Sequence, residues 1–352
     1  MAKRTRISEP DESDRIEGFP HPRETFAMAG QEVALARAAR AIRSGKPPQG
    51  WLISGPPGIG KATLAYRIAR YLLAYGARDT GAEDLSVPAQ DPAAIQVAAG
   101  SHPGLLVLKR VLNERTGKLM NELPVDEVRR LVGFFGMTSG AGGWRVAIVD
   151  TADDMNANAA NAILKLLEEP PSRAMLLLLA ARPGQLLPTI RSRCQRLELR
   201  PLDDASVADA LKSYLSKTDA EERASLARLS GGSIGQALRL ASGEGRELAA
   251  EADRLIEHAA APDTIALLAL GDRLSRMKDG LPRFSDFLIE ALGARIRAKA
   301  RQAGVPLERW TALLARLEDN FARSRGLYLE PRQTILSAAR DIAATASRAG
   351  SL

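Results

Sequence analysis

The sequence has few of the residues that crosslink a chain or fill a core with large side chains. Its 352 residues include one cysteine, Cys194, which excludes an intrachain disulfide and a cysteine-based metal site and fits a reducing compartment. Aromatic residues make up only 4% of the chain, which favours a core of Leu, Ile, Val and Ala within a largely helical fold. The length allows two or three domains with separate cores.

Long apolar runs are also missing. The longest strongly apolar stretch, residues 174–181, is far too short to span a bilayer. Residues 1–18 are polar throughout and lack the apolar core of a secretory signal. We therefore predict a soluble cytoplasmic protein with no membrane partner. The formal net charge of +7 permits contact with nucleic acid, although an excess of this size also fits an ordinary solvated surface.

A glycine-rich phosphate loop is the first motif that carries chemistry. It lies between a short apolar segment, residues 51–54, and helical spacing over residues 62–75, and this order predicts a P-loop fold. Glycines let backbone N–H groups turn towards phosphate oxygens, while the lysine and the helix N-terminus add positive charge. The alternative is a retained fold with an empty pocket. The candidate nucleotide-binding residues of the motif are Gly55, Gly58, Gly60, Lys61, Ala62 and Thr63.

Two positions that ATP hydrolysis requires carry unsuitable side chains. The residue after Lys61 is normally Ser or Thr, whose hydroxyl holds Mg²⁺, but here it is Ala62. Thr63 comes one place later, about 100° further round the helix and away from the metal. Asp150 ends an apolar strand where it could assist Mg²⁺, but Thr151 occupies the position of the catalytic Glu, and a hydroxyl is no base near neutral pH. We expect a vestigial site that binds ATP or ADP without hydrolysis.

Apolar runs alternate with helical spacing up to about residue 200. Residues 105–109 predict a strand, and residues 146–150, which close with Asp150, and 175–180 are apolar runs, as expected for inner strands of a parallel sheet. The helices between them predict a three-layer α/β domain with a mostly parallel sheet. The polar residues 113–118 predict a hairpin tip.

The remainder of the chain is predicted to be helical. Asp203 or Asp204 can cap one helix, residues 220–229 form a second, and the segment Gly231-Gly232-Ser233 opens a third. The segment Ser242-Gly243-Glu244-Gly245 is the strongest linker candidate in the chain.

The most specific pattern lies in residues 158–199, which contain NAANAILKLLEEPP and then LLPTIRSRC. Together with the phosphate loop and GSIGQAL at residues 232–238, it resembles the bacterial DNA polymerase III clamp-loader subunits of the AAA+ class. The resemblance implies an AAA+ nucleotide-binding-like α/β domain over residues 26–200, a small helical lid over 201–243 and an all-α collar for oligomerisation over 246–348. The mixture of charge, Pro and Ser in residues 1–25 predicts a flexible tail before these domains.

The resemblance also implies a function. Clamp loaders are five-subunit rings that use ATP to open a sliding clamp and place it on primed DNA for the DNA polymerase holoenzyme. The implied partners are gamma or tau and delta subunits, with the clamp and DNA reached through the complex. In gamma-type subunits the arginine of the Ser-Arg-Cys motif reaches a neighbour's ATP, and the matching residue here is Arg193. A local ion pair of Arg193 with a carboxylate such as Glu198 is the alternative.

Three departures favour the non-hydrolysing delta prime type within this family. Ala62 and Thr151 replace catalytic residues, and Gly235 stands where active members have a nucleotide-sensing Arg. The resemblance also implies a four-cysteine zinc module in gamma-type and many delta prime subunits, but residues 79–101 contain no cysteine, so we expect no zinc. His102, a lone histidine before proline, is expected to be a turn residue.

A working ATPase is the alternative function. Such a protein would be gamma- or tau-like, or a stand-alone AAA+ remodeller, and it would use an unusual base such as Asp153. The basic residues 295–301 leave a second question open, because their helix could face DNA phosphates. We favour a solvated face beside a helix interface for this segment.

Overall fold

The structure is a computed structural model that describes residues 15–81, 83–110, 122–136, 143–277, 280–300, 307–327 and 329–349. The chain separates into two compact units, Met1–Leu238 and Arg239–Leu352. The hairpin tip predicted over residues 113–118 lies outside the described residues.

The first unit is organised around a sheet of five parallel strands, in the spatial order β2-β3-β4-β1-β5. Apolar runs form its central strands, as predicted, and every residue of β1 and β4 is buried. The strands are β1 (Gly50–Ser54), β2 (Leu105–Leu108), β3 (Arg145–Val149), β4 (Ala174–Ala180) and β5 (Gln195–Glu198).

Helices fill the connections between the strands, as parallel pairing requires. The helices within the sheet region are α1 (Glu32–Arg43), α2 (Lys61–Tyr75), α3 (Pro92–Ala98), α4 (Val125–Gly136), α5 (Ala157–Glu168) and α6 (Pro188–Arg193). Those that follow are α7 (Asp204–Tyr214), α8 (Ala220–Leu229), α9 (Ile234–Ala241), α10 (Gly243–Glu257), α11 (Thr264–Arg276), α12 (Gly280–Ala300), α13 (Glu308–Leu327) and α14 (Pro331–Ala349).

Successive side chains of each strand pack on opposite faces of the sheet. Trp51 and Ile53 join a core with α1, α2 and α3, whereas Leu52 joins a second core with α4, α5 and α6. On β4, Leu177 belongs to the first core and Leu178 to the second. The predicted three-layer α/β domain is therefore confirmed.

Residues 15–25 differ from the flexible tail that we expected over residues 1–25. Pro22–Glu24 forms a turn of 3-10 helix capped by His21, whose side chain is fully buried. Arg23 is also buried and donates from Nε to the carbonyl oxygen of Ala98 at 3.1 Å. The mixture of charge, Pro and Ser suggested disorder, but backbone acceptors in the domain hold these polar side chains in place.

Two buried arginines of α2 fix the residues that follow this turn. Arg67 donates to the carbonyl oxygen of Phe26, and to both the carbonyl oxygen and the carboxylate of Asp84 at 2.6 Å each. Arg70 donates to the carbonyl oxygen of Thr25 at 2.6 Å and lies over the Phe26 ring. Burial lowers the pKa of Arg70 to about 10. These contacts tie the chain before α1 to the sheet domain.

The helices after the sheet begin at capping side chains. Asp203 accepts a hydrogen bond from the Ser206 amide at 2.7 Å, so Asp203 rather than Asp204 caps α7. Gly231 and Gly232 both have positive φ, and α9 begins two residues after them.

The predicted linker at residues 242–245 is instead the start of a helix. Ser242 occupies the N-cap position of α10, and a Cβ atom at Gly245 would lie 1.9 Å from the carbonyl oxygen of Arg239. Close packing, not flexibility, therefore requires this glycine. In the second unit α10 packs on α12, while α11 and α13 pack on α14.

Removing the buried guanidinium of Arg67 should destabilise the protein. In Arg67→Met the acceptors on Phe26 and Asp84 lose their donor, and we expect the free energy of unfolding to fall by about 2–4 kcal/mol. Arg43→Met is the matched control, because Arg43 pairs with Asp79 at the surface. Urea titration of both variants checks this. An equal loss in the two variants would contradict the role assigned to Arg67.

Candidate functional site

The phosphate loop has the backbone geometry that its glycines predict. Gly55, Gly58 and Gly60 have φ values of 147°, 72° and 104°, which side-chain-bearing residues rarely adopt. A Cβ atom at Gly55 would lie 2.6 Å from the carbonyl oxygen of Leu199. The loop joins β1 to α2, so the predicted strand, loop and helix order is confirmed.

Lys61 bonds to the loop itself. Its Nζ atom donates to the carbonyl oxygens of Gly55 and Pro56, at 2.7 and 2.8 Å. In this arrangement the ammonium group is turned back on the backbone that precedes it. An ammonium group carries three N–H donors, and these two carbonyl oxygens accept from two of them.

Residues at the start of α9 contact the backbone of the same loop. The Ser233 hydroxyl donates to the carbonyl oxygen of Pro57 at 3.0 Å, and the Gly235 amide donates to the carbonyl oxygen of Gly58 at 3.0 Å. A Cβ atom at Gly235 would lie 2.8 Å from the Cα atom of Gly58. The arginine that the resemblance expects at this position in active subunits therefore cannot fit while α9 lies here.

The positions of the missing base and metal ligand carry no replacement groups. Ala62 lies in the first turn of α2, has no hydroxyl, and is partly buried against the core that α1, α2 and α3 share. Asp150 follows β3, and the Thr151 hydroxyl donates to the carbonyl oxygen of Asp150 at 2.7 Å. Thr151 also has φ 58° and ψ 52°, a left-handed conformation that is unfavourable for a β-branched residue. The hydroxyl that occupies the position of the base is thus bonded to its own main chain.

Asp153 has a structural role at the edge of the sheet. Its Oδ2 atom accepts hydrogen bonds from the amides of Ala181 and Arg182, at 3.1 and 2.8 Å, and only 4% of its side chain is exposed. The neighbouring helix α5 is capped instead by Asn156, which accepts from the Ala159 amide at 2.9 Å. Asp153 therefore connects the ends of β3 and β4. Nothing in the sequence near Asp153 indicated this long-range contact.

Arg193 lies at the opposite edge of the sheet from the phosphate loop. All the strands run in the same direction, and β5 pairs with β1 in the register Trp51 with Gln195. Arg193 therefore precedes the first residues of the strands, whereas Gly55 follows the last residue of β1. A strand of four residues spans roughly 13 Å, so this arginine and its own loop are separated by the length of the sheet.

The guanidinium of Arg193 is held at the surface by a weak local pair. Its Nη2 atom lies 3.0 Å from Oε1 of Glu168, and Nη1 donates to the carbonyl oxygen of Thr189 at 3.2 Å. The exposed fractions of the Arg193 and Glu168 side chains are 39% and 51%. The alternative considered from the sequence, a local ion pair with a carboxylate such as Glu198, is present in the structure with Glu168 as the partner, because α5 ends beside α6 and brings Glu168 close. A pair this exposed contributes little stability and can open readily.

Cys194 anchors the Ser-Arg-Cys motif in the core. Its side chain is buried with the residues of α4, α5 and α6, and burial raises the pKa of its thiol to about 12. The thiol is therefore protonated at neutral pH. It packs as an apolar group beneath the exposed arginine and has no features of a nucleophile.

Acidic neighbours surround the basic segment on α12. Arg295 lies 3.0 Å from Asp253 and 3.1 Å from Glu257, and Arg297 lies 2.7 Å from Glu290. These contacts favour a solvated face beside a helix interface for the basic segment. A surface that binds DNA phosphates needs guanidinium groups that are not already neutralised.

The lone histidine His102 lies in a turn before β2. His102 accepts a hydrogen bond from the Gly104 amide at 3.0 Å, which agrees with its expected place in a turn. Burial lowers the pKa of its imidazole.

Within the described ranges no three His, Cys, Asp or Glu side chains are gathered so that they could hold a metal ion. No helix in that part of the chain is both long and apolar enough to cross a bilayer.

The sequence of the chain is similar to those of known DNA polymerase III subunits. Residues 30–203 match the family described as DNA polymerase III, delta subunit. DNA polymerase III subunit delta prime of Pseudomonas aeruginosa is 40% identical over 191 residues, which cover 54% of this chain and 55% of that protein. The delta prime subunit of Escherichia coli is 32% identical and covers 58% of each chain. The chain thus spans little more than half the length of these relatives.

A third relative extends further along the chain. The tau subunit of DNA polymerase III from Escherichia coli is 26% identical over 313 residues, which cover 88% of this chain and 45% of tau.

The parallel sheet, the phosphate loop after β1 and the helices that follow define a protein with a P-loop α/β fold. Residues 30–203, just under half of the chain, match the family of DNA polymerase III delta subunits. The resemblance inferred from the sequence is therefore confirmed.

The contact between α9 and the phosphate loop should not tolerate a side chain at residue 235. In Gly235→Ala the added methyl group meets the backbone of Gly58, and we expect a loss of about 1–3 kcal/mol in the free energy of unfolding. Gly184→Ala is the matched control, because a Cβ atom there meets nothing within 4 Å. Urea titration measures both variants. Equal stability of the two would show that α9 does not lie against the loop in solution.

Proposed function

We propose that this chain is the non-hydrolysing, delta prime-type subunit of a DNA polymerase III clamp-loader complex, and that Arg193 acts on ATP bound by a neighbouring subunit. The observation that carries the proposal is the separation of Arg193 from its own phosphate loop. This exposed guanidinium lies at the edge where the strands begin, and the loop lies where they end. An arginine in this position cannot reach a phosphate held by its own loop, so we propose that the nucleotide it acts on is bound by a neighbouring subunit.

The absence of hydrolysis follows from the chemistry of the chain's own loop. Ala62 offers no oxygen to Mg²⁺, and the Thr151 hydroxyl is neither a base nor free of its backbone partner. Positioned bases alone contribute typically 10²–10⁴-fold to such reactions. Metal polarisation adds several kcal/mol of transition-state stabilisation. A site without either group is expected to be inactive.

Binding of ATP or ADP without hydrolysis remains part of the proposal. The amides of Gly58 and Gly60 make no hydrogen bond to the described part of the chain, and they lie at the N-terminus of α2, where anions bind favourably. A bound nucleotide would supply phosphate oxygens to these amides and to the Lys61 ammonium. Thr63 lies in the first turn of α2, and Asp150 follows β3 at the same edge of the sheet.

The proposed partners follow from the relatives, which are named as delta prime and tau subunits of DNA polymerase III. We propose assembly with gamma or tau and delta subunits into a five-subunit ring, which would load a sliding clamp onto primed DNA. The helical unit from α10 to α14 is the proposed collar, and residues 201–243 are the proposed lid. Clamp and DNA would be reached through the complex.

The second candidate function is an active ATPase of the gamma or tau type, or a stand-alone remodeller. It required Asp153 as an unusual base. Oδ2 of Asp153 accepts two backbone hydrogen bonds and its side chain is almost fully buried, which leaves it poorly suited to take a proton from water. The observations therefore favour the non-hydrolysing subunit.

The test of the proposed function is Arg193→Ala in a reconstituted complex. Comparable arginines contribute about 10³–10⁵-fold to phosphoryl transfer, so hydrolysis at the one adjacent ATP site should be lost while the ring still assembles. ATP turnover and clamp loading by the complex are the measurements. Arg193→Lys should restore little, because an ammonium lacks the planar fork of guanidinium.

Glu168→Ala separates catalysis in trans from a merely structural role. If Arg193 served only its pair with Glu168, both alanine variants would lose the same activity. We expect Glu168→Ala to retain turnover because its arginine is still present. Wild-type rates with Arg193→Ala, or equal losses in both variants, would contradict the proposal.

A further inference from the structure

A basic cavity lies beside the Ser-Arg-Cys motif, where α1, α6 and β5 meet. Its volume is about 510 Å³, which falls within the range of small-molecule sites. Three guanidinium groups and one carboxylate line it, so positive charge is in excess. The lining residues are Arg37, Arg191, Ser192, Cys194, Gln195, Arg196 and Glu198.

Arg191 is the unusual member of this cavity. Its Nε atom is buried and has no hydrogen-bond partner within the described residues. A buried donor that lacks an acceptor costs free energy, more so when it belongs to a charged group. A ligand in the cavity could supply the acceptor, because this donor belongs to a side chain that lines it.

The other side chains differ in how firmly they are held. With its amide oxygen turned towards α1, Gln195 accepts from Nη2 and Nε of Arg37, at 2.6 and 2.9 Å. This pair fixes one guanidinium at the wall of the cavity. Arg196 is exposed and points from the edge strand β5. The cavity thus combines one fixed, one exposed and one partly buried guanidinium.

We propose that this cavity binds a small polyphosphate anion, such as the phosphate chain of a nucleotide. Guanidinium groups pair with phosphate oxygens through two parallel hydrogen bonds, and several of them around one concave site favour several adjacent phosphates. Nucleic acid fits less well, because a cavity of about 510 Å³ holds only a short run of phosphates and its lining residues form no extended groove. The binding is separate from the phosphate loop and from the action proposed for Arg193.

The test is titration calorimetry of the full chain with inorganic tripolyphosphate. The reference protein is the full chain with Lys61→Ala, in which the phosphate loop contributes little to binding. The test variant carries Arg191→Gln in addition. Charge-assisted hydrogen bonds of this kind change affinity by about 10- to 100-fold, and we expect a loss of that size. Arg228→Gln removes the same charge from an exposed position outside the cavity and is expected to leave affinity unchanged.

Two further ligands define the chemistry of the site. AMP, with a single phosphate, should bind at least about tenfold more weakly than tripolyphosphate. Failure of the Lys61→Ala chain to bind tripolyphosphate would overturn the proposal, as would equal affinities of the Arg191→Gln and Arg228→Gln chains. Displacement of tripolyphosphate by a single-stranded oligonucleotide at lower concentration would overturn it in favour of a nucleic-acid surface. None of these readouts depends on assembly of the complex or on ATP turnover.

Discussion

The parallel direction of all five strands is the constraint on which both candidate sites depend. Residues that follow the strands collect at one edge of the sheet, and residues that precede them collect at the other. The phosphate loop and Asp150 therefore lie at the carboxyl edge, and Arg193 lies at the amino edge. One rigid sheet holds a nucleotide-type loop and an exposed arginine too far apart to act on the same phosphate, which suits a protein that works beside a neighbour.

Close packing at the carboxyl edge is consistent with a site that has lost its chemistry. The start of α9 bonds to the carbonyl oxygens of the phosphate loop, and Gly235 permits an approach that no other residue would allow. At the same edge Asp153 binds main-chain amides instead of activating water. In the proposed non-hydrolysing subunit, Thr151 and Asp153 at this edge contact the main chain.

Local patterns in the sequence were sufficient to predict the sheet and the phosphate loop. Continuous apolar runs indicated the buried strands, and glycines at fixed spacing indicated the loop, because both signals arise from residues close in sequence. The Glu168 partner of Arg193 was missed because it depends on how α5 ends beside α6. The linker at residues 242–245 was wrong for a similar reason: a glycine required by close packing looks the same in sequence as a flexible one.

Measurement of ATP turnover by the isolated full chain tests the central claim most directly. The account predicts a rate no higher than that of the Lys61→Ala variant, because both the metal-binding hydroxyl and the base are missing and general base catalysis alone supplies roughly 10²–10⁴-fold. Turnover comparable to that of a gamma-type subunit, and abolished by Lys61→Ala, would contradict it.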